Sequence, residues 1–238
     1  MKRLAAIACI ALLGTAADPA APDAIVAGAV RTLETQRHGI IAFAQHYTYE
    51  EHGPGHNTSR QVDDRRLSEN GRLVAVHIVR EASNGQPEST EQVAKDQAAD
   101  DRQLPEEDYR LPVGREALAE YRFSPAACSQ CGPDQRAIAF TSIQRDDQHG
   151  DGTMIVDVAA RHIVQLSFAP SVMPAHVDSA SIVVRFGQVL PDLWDVVEYR
   201  GRYNGHMLFI HGWAQVVRVY SDYRRFATLD QGLAAIRG

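Results

Sequence analysis

The chain has 238 residues, with 24 basic and 30 acidic side chains and a formal charge of −6. An excess of acid keeps a protein soluble and excludes the basic stripe that nucleic acid requires, so no nucleic-acid partner is expected. The length suits one mainly β domain, since sandwiches and barrels commonly run to roughly 200–250 residues.

Lys2-Arg3, the apolar run 4–13 and the small residues Gly14-Thr15-Ala16-Ala17 have the layout of a secretory signal cut near Ala17. Cys9 lies inside the apolar run and leaves with it. The run is half of the roughly 20 residues that a membrane helix needs, so no transmembrane segment is expected in the mature chain. Residues 18–238 are expected to form a single exported domain, because no linker, repeat or low-complexity tract divides them.

Residues 22–38 read as a helix that Asp23 can cap and Gly39 stops, with Ile25, Val26, Ala29, Val30 and Leu33 in one stripe. That stripe must be buried, most simply against the concave face of a sheet. Residues 40–51 alternate Phe43, Tyr47 and Tyr49 with Ala42, Ala44, His46 and Thr48, as a strand does. Gly53-Pro54-Gly55 turns the chain into 56–68, where the row Asp63-Asp64-Arg65-Arg66 would guard a sheet edge. Asn70-Gly71 turns it back into 72–81, and Asn84-Gly85-Gln86-Pro87 closes that strand. The composition of 88–102 favours a surface helix, since only Val93 and a few alanines offer apolar contact. An acidic connector at 104–111 follows, and 116–123 carries Leu118, Tyr121 and Phe123 toward two cysteines.

Cys128-Ser129-Gln130-Cys131-Gly132-Pro133 reads as a local disulfide in an oxidising compartment. A redox-active pair is the alternative, although such motifs open a helix and Gly132-Pro133 stops one. A zinc site would need two further ligands that no local spacing supplies.

From residue 135 the chain is a meander. Strands at 137–145, 153–158, 162–168, 179–190, 193–202 and 206–220 are separated by turn chemistry, notably His149-Gly150-Asp151-Gly152 and Tyr203-Asn204-Gly205. One face of 179–190 is apolar through Ile182, Val184 and Phe186, and 206–220 is apolar on both faces. A two-sided apolar strand needs cover from helices, from a curled sheet or from an apolar ligand. A short helix at 230–236 ends the chain.

No Gly-x-Ser-x-Gly elbow, His-Glu-x-x-His helix or glycine-rich phosphate loop is present, and no catalytic residue or cofactor is expected. His46, His52 and His56 gather at one hairpin, but Gly53-Pro54-Gly55 forbids the helix that would align a ligand pair, so no metal is expected.

The early helix, the hairpin unit with Asn70-Gly71-Arg72-Leu73-Val74, the charged helix after Asn84-Gly85-Gln86-Pro87 and the long meander together resemble the bacterial outer-membrane lipoprotein-sorting and lipoprotein-carrier (LolA-like) superfamily. Asp151-Gly152-Thr153-Met154-Ile155-Val156-Asp157 and Val219-Tyr220-Ser221-Asp222-Tyr223-Arg224-Arg225-Phe226 look like strand segments of its uncharacterised members. The resemblance implies an α+β fold: an incomplete antiparallel β-barrel, a half-cone curled sheet, with an N-terminal helix and a short helical lid. It also implies a hollow that accepts acyl chains, with a lipid or acylated protein and envelope transport proteins as partners. Carriers of that superfamily use an arginine near the mouth, which no motif here assigns to a numbered residue.

The function expected is therefore a periplasmic, non-enzymatic binder of an apolar ligand, with Phe43, Phe168, Phe186, Trp194, Phe209 and Trp213 lining the hollow. The alternative is a cell-envelope interaction or sensor module whose filled core recognises a protein partner.

Overall fold

The structure, a computed structural model, describes residues 21–104, 109–207 and 210–238. The signal segment expected at 1–17 lies outside them, as do Phe209 and part of the acidic connector. Helix α1 (Pro22–Gln36) precedes strands β1 (Ile40–Gly53), β2 (His56–Glu69), β3 (Arg72–Ser83) and the short β4 (Gln86–Pro87). Helix α2 (Thr90–Asp100) and a 3-10 turn (Ala117–Glu120) lead to β5 (Tyr121–Ala126), β6 (Gln135–Ser142), β7 (Gly150–Asp157), β8 (His162–Pro170), β9 (Val177–Leu190), β10 (Leu193–Met207) and β11 (Ile210–Phe226). Helix α3 (Leu229–Arg237) ends the chain.

All eleven strands form one sheet in the order β4-β3-β2-β1-β11-β10-β9-β8-β7-β6-β5, antiparallel throughout and not closed on itself. It is the curled, open sheet of an incomplete barrel. The curl is visible in α1, whose buried Val26, Ala29, Val30 and Leu33 share one core with Tyr121, Phe140, Met154, Leu166, Ile182 and Tyr199 from six strands. Burying Val26, Val30 and Leu33 contributes on the order of 5 kcal/mol as an upper estimate. Helix α3 covers the opposite face, where Ile236 packs on Ile40, Ala42 and Leu67. Ile40 and Ile41 therefore point to different cores, whereas among the described residues the outer face of 210–220 carries no helix and leaves Val219 exposed.

Several local expectations are corrected. Asn204-Gly205 is not a turn: Asn204 pairs with Trp213 and Gly205 with Gly212, and the β10–β11 ladder continues to Met207 and Ile210. Glycine is required there because a Cβ at Gly205 would lie 2.1 Å from the His176 carbonyl oxygen. His149-Gly150-Asp151-Gly152 is likewise no turn beyond His149, because β7 begins at Gly150. A Cβ at Gly150 would meet the Phe168 ring at 2.5 Å, and one at Gly152 the Ser167 carbonyl at 2.1 Å. By contrast Asn70-Gly71 and Asn84-Gly85 are true reversals, all four residues having positive φ.

The charged strand β2 is not an edge, since β1 and β3 flank it. Its row of charges is neutralised on both faces of the sheet, by Asp63 with His46 and Arg80 and by Asp64 with Arg66. The free backbone of β3 is met by α2 instead: Gln97 accepts from the Ile78 amide at 2.8 Å and donates to the Val76 carbonyl at 2.9 Å. Asp23 sits in the first turn of α1, after N-cap Ala21, where its charge suits the helix dipole. The last strand runs on through Tyr223 to Phe226. Cys128 and Cys131 form a disulfide across the β5–β6 loop.

Candidate functional site

Alternation along β1 and β11 decides which side chains face inward. Tyr47 pairs with Arg218 and Gln45 with Tyr220, and partners in an antiparallel ladder share a face. Tyr199 and Tyr203 of β10 extend that face, Tyr199 opposite Arg218 and Tyr203 opposite Ala214. On β11 the inward set is thus Ala214, Val216, Arg218 and Tyr220, while Trp213 and its neighbours at alternate positions face outward.

The inward face forms a cleft, open on one side, with a cavity of about 260 Å³. Phe43, Tyr220 and Tyr223 form its aromatic side: the Phe43 ring stacks on Tyr223 at 5.2 Å and meets Tyr220 edge-on at 5.9 Å. Leu166, Val184, Phe186 and Val196 separate it from the α1 core, and Leu73 and Ser68 bound it beside β2. The remaining wall is irregular chain, through Tyr109, Leu111 and Val113.

Cations stand around this apolar space, each held in place. Arg37 and Asp195 form an ion pair, with the Arg37 Nε 3.0 Å from Asp195 Oδ2. Arg66 grips Asp64 with two parallel bonds of 2.9 and 3.0 Å. The Arg218 guanidinium lies over Tyr199 at 4.8 Å and Tyr47 at 5.7 Å. Burial pushes the Asp64 carboxyl up from its ordinary pKa, against the hydrogen bonds of Arg66 and the charge of Arg218. Burial also raises the Tyr223 hydroxyl well above the usual phenol value, with Asp195 adding to it. That hydroxyl donates to the Val196 carbonyl at 2.5 Å and stays neutral. The hydroxyls of Tyr109, Tyr203 and Tyr199 form a chain with 3.2 Å steps.

The six expected lining residues separate. Phe43 and Phe186 line the cavity. Phe168 is buried in the α1 core, edge-on to Tyr109 at 5.2 Å. Trp194 packs against the same core, stacked on His162 at 4.7 Å, and donates to the Ile163 carbonyl at 2.7 Å. Trp213 lies outward between His52, stacked at 4.1 Å, and Arg202, 5.1 Å from its ring. Phe209 is outside the described residues. Sequence reasoning missed Tyr220, Tyr223 and the wall at 109–113. Tyr220 was legible in principle, in register with Gln45 on the inward face, but Tyr223 turns inward only through the bulge at Asp222, and the wall has no periodicity to read.

Among the described residues no set of three His, Cys, Asp or Glu side chains converges as a metal site, and no helix is long and apolar enough to cross a membrane. The arrangement offers shape, aromatic surface and fixed charge.

No protein-family model matches the sequence, and no curated protein matches it. Solved structures do. A DUF1329 family protein from Desulfovibrio piger is similar at 9% identity and a TM-score of 0.42, over 91% of this chain and 99% of that one. A putative outer membrane lipoprotein-sorting protein domain from Vibrio parahaemolyticus is similar at 10% identity and a TM-score of 0.42, over 88% and 97%. A LolA superfamily protein from Nitrosomonas europaea is similar at 12% identity and a TM-score of 0.36, over 89% and 96%.

Proposed function

We propose that residues 18–238 form an exported, periplasmic binder or carrier of an apolar ligand, a lipid or the acyl chain of an acylated protein, that works without catalysis. Envelope transport proteins would exchange its cargo. The observation that supports this reading is the cavity beside Phe43, Phe186, Tyr220 and Tyr223. It adjoins a core that α1 fills, yet the chain's own side chains leave it open.

Magnitudes set the size of the ligand. A methylene needs about the volume of a water, roughly 30 Å³, so some nine fit as the walls stand. At about 0.8 kcal/mol each they would gain roughly 7 kcal/mol, and association costs at least about 4 of that. The remainder is too small for useful affinity. A sixteen-carbon chain would gain roughly 13 kcal/mol if wholly buried and needs nearly twice the space, so a long acyl ligand either leaves part of its length at the open side or displaces a wall. The irregular wall at 109–113 is the one not built into the sheet.

The filled half of the inner face favours a second reading, a module that recognises a protein partner and holds no lipid. Organic extraction of protein purified from the periplasm, followed by lipid mass spectrometry, separates the two. Stoichiometric lipid supports the binder. A clean extract, with no uptake of a fluorescent fatty acid, removes it in favour of the partner-binding module.

A further inference from the structure

The wall at 109–113 is held from outside the cavity by a histidine that ligand binding leaves unused. The His149 side chain is only 3% exposed and lies between carboxylates from two different elements. Its Nδ1 is 2.7 Å from Asp146 in the β6–β7 loop, and its Nε2 is 3.1 Å from Glu120 at the end of the 3-10 turn. The backbone ties the same pieces together. Arg110 forms an isolated parallel bridge with His149, and its amide donates to the Gln148 carbonyl at 2.9 Å. The Arg110 guanidinium pairs with Glu120 at 2.5 Å, and the Tyr121 hydroxyl donates to the Arg110 carbonyl. Farther along, Arg115 anchors the strap to α1 through Glu34, by amide at 2.8 Å and guanidinium at 3.1 Å. The strap thus has one end fixed at Arg115 and another at Arg110, which backbone bonds tie to 148–149 and whose guanidinium is held by Glu120, the carboxylate that the imidazole also contacts, with Tyr109, Leu111 and Val113 against the cavity.

A neutral imidazole has one N–H and can donate to one carboxylate only. With both ring nitrogens facing carboxylate oxygens, only the cation satisfies Asp146 and Glu120 together. The other charged groups nearby are already matched: Arg145 with Asp151, and Arg110 with Glu120. The Tyr121 ring stands 6.1 Å from the imidazole. Its hydroxyl is pushed up to about 12, chiefly by burial, and stays neutral.

We propose that His149 is a pH-operated latch: as a cation it holds Glu120, and through the Glu120–Arg110 pair the strap at 109–113, as a wall of the cavity, and when it loses its proton the strap lifts about Arg115. The latch rests on the binding reading for its use, though not for its geometry. Burial opposes the charged ring, but the bonds and charges of Asp146 and Glu120 outweigh it and raise the His149 pKa above the ordinary value. A raised pKa fixes the sign. The latch is complete below about pH 6.5, where histidine is charged in either state, and is lost as pH rises through the higher folded value.

Hydrogen exchange of the whole protein, corrected for intrinsic rates, tests this at about pH 6 and about pH 8.5. Protection of the 109–113 peptide should fall by about tenfold at the higher pH while β9 stays unchanged, and in His149→Gln it should be low at both. Asp146→Asn, which keeps the Glu120 pair with Arg110, should flatten the same dependence and serves if the first variant does not fold. Equal protection at both pH values in the unaltered protein, or an undiminished fall in either variant, would overturn the latch. A strap that lifts in protein that takes up no fluorescent fatty acid at either pH would leave the latch standing and remove the binding reading.

Discussion

The two halves of the inner face have the same sheet, the same twist and opposite outcomes. Under α1, Phe140, Ile138, Met154, Ile163, Leu166 and Ile182 are fully buried, and the alternation of each strand has a helix to meet. Around β1, β2 and β11 the inward positions mix Phe43 and Tyr220 with Arg66 and Arg218, and a cavity remains. The difference lies in what covers each half. α1 offers four buried small or branched residues to a continuous apolar surface, whereas α2, beside β3, buries none. A curled sheet has more concave surface than one helix can fill. The charge placed on the inward positions goes with the half that stays open.

The largest effect should come from the packed half. Phe140→Ala should lower stability by about 3–5 kcal/mol in urea denaturation, and a loss under about 1 would show that the core under α1 is loose. Reduction of Cys128–Cys131 should cost about 2 kcal/mol or less, since the loop it closes is only four residues long. In the open half, Phe43→Ala should cost about 1–2 kcal/mol of stability yet weaken uptake of a fluorescent fatty acid by about tenfold. If the stability loss matched that of Phe140→Ala and uptake were unchanged, the two halves would not differ in role.

Acid should act on the β6–β7 loop. The His149 hydrogen bond holds the Asp146 carboxyl down to about 2. A depressed folded pKa means that this contribution is complete above about pH 4 and lost as pH falls toward 2. Exchange at His149 and Gln148 should therefore quicken in that window, and an unchanged rate would show that the pair does not form in solution. The smallest effect is expected on the outer face. Trp213→Ala should cost under about 1 kcal/mol, from its contacts with His52 and Arg202, and leave uptake intact.

Much of the fold was legible because periodicity is a property of the chain. The stripe of α1, the alternation of Ile182, Val184 and Phe186, and the Asn-Gly reversals at 70–71 and 84–85 all appear as read. The errors share a cause. Gly150, Gly152 and Gly205 look like turn residues in the sequence, whereas each is a glycine because a neighbouring backbone or ring leaves no room for a Cβ. Sequence does not distinguish a glycine needed for positive φ from one needed for close approach. The charges on β2 have a similar explanation: an interior strand tolerates them when they are paired, Asp63 by His46 of β1 and Arg80 of β3 and Asp64 by Arg66 of its own strand. The site was half legible. Phe43 and Phe186 alternate with the rest of their strands, but the facing of Trp213 depends on a register that the misplaced turn obscured.

The most direct test of the account is where a ligand sits. Crystals grown with a brominated fatty acid, measured at the bromine edge, should show anomalous density between Phe43, Phe186 and Tyr220, with the strap at 109–113 displaced where the chain is long. Bromine among Phe140, Met154 and Ile182 under α1, or no bound chain at saturating concentration, would contradict the division of the sheet into a packed half and a binding half.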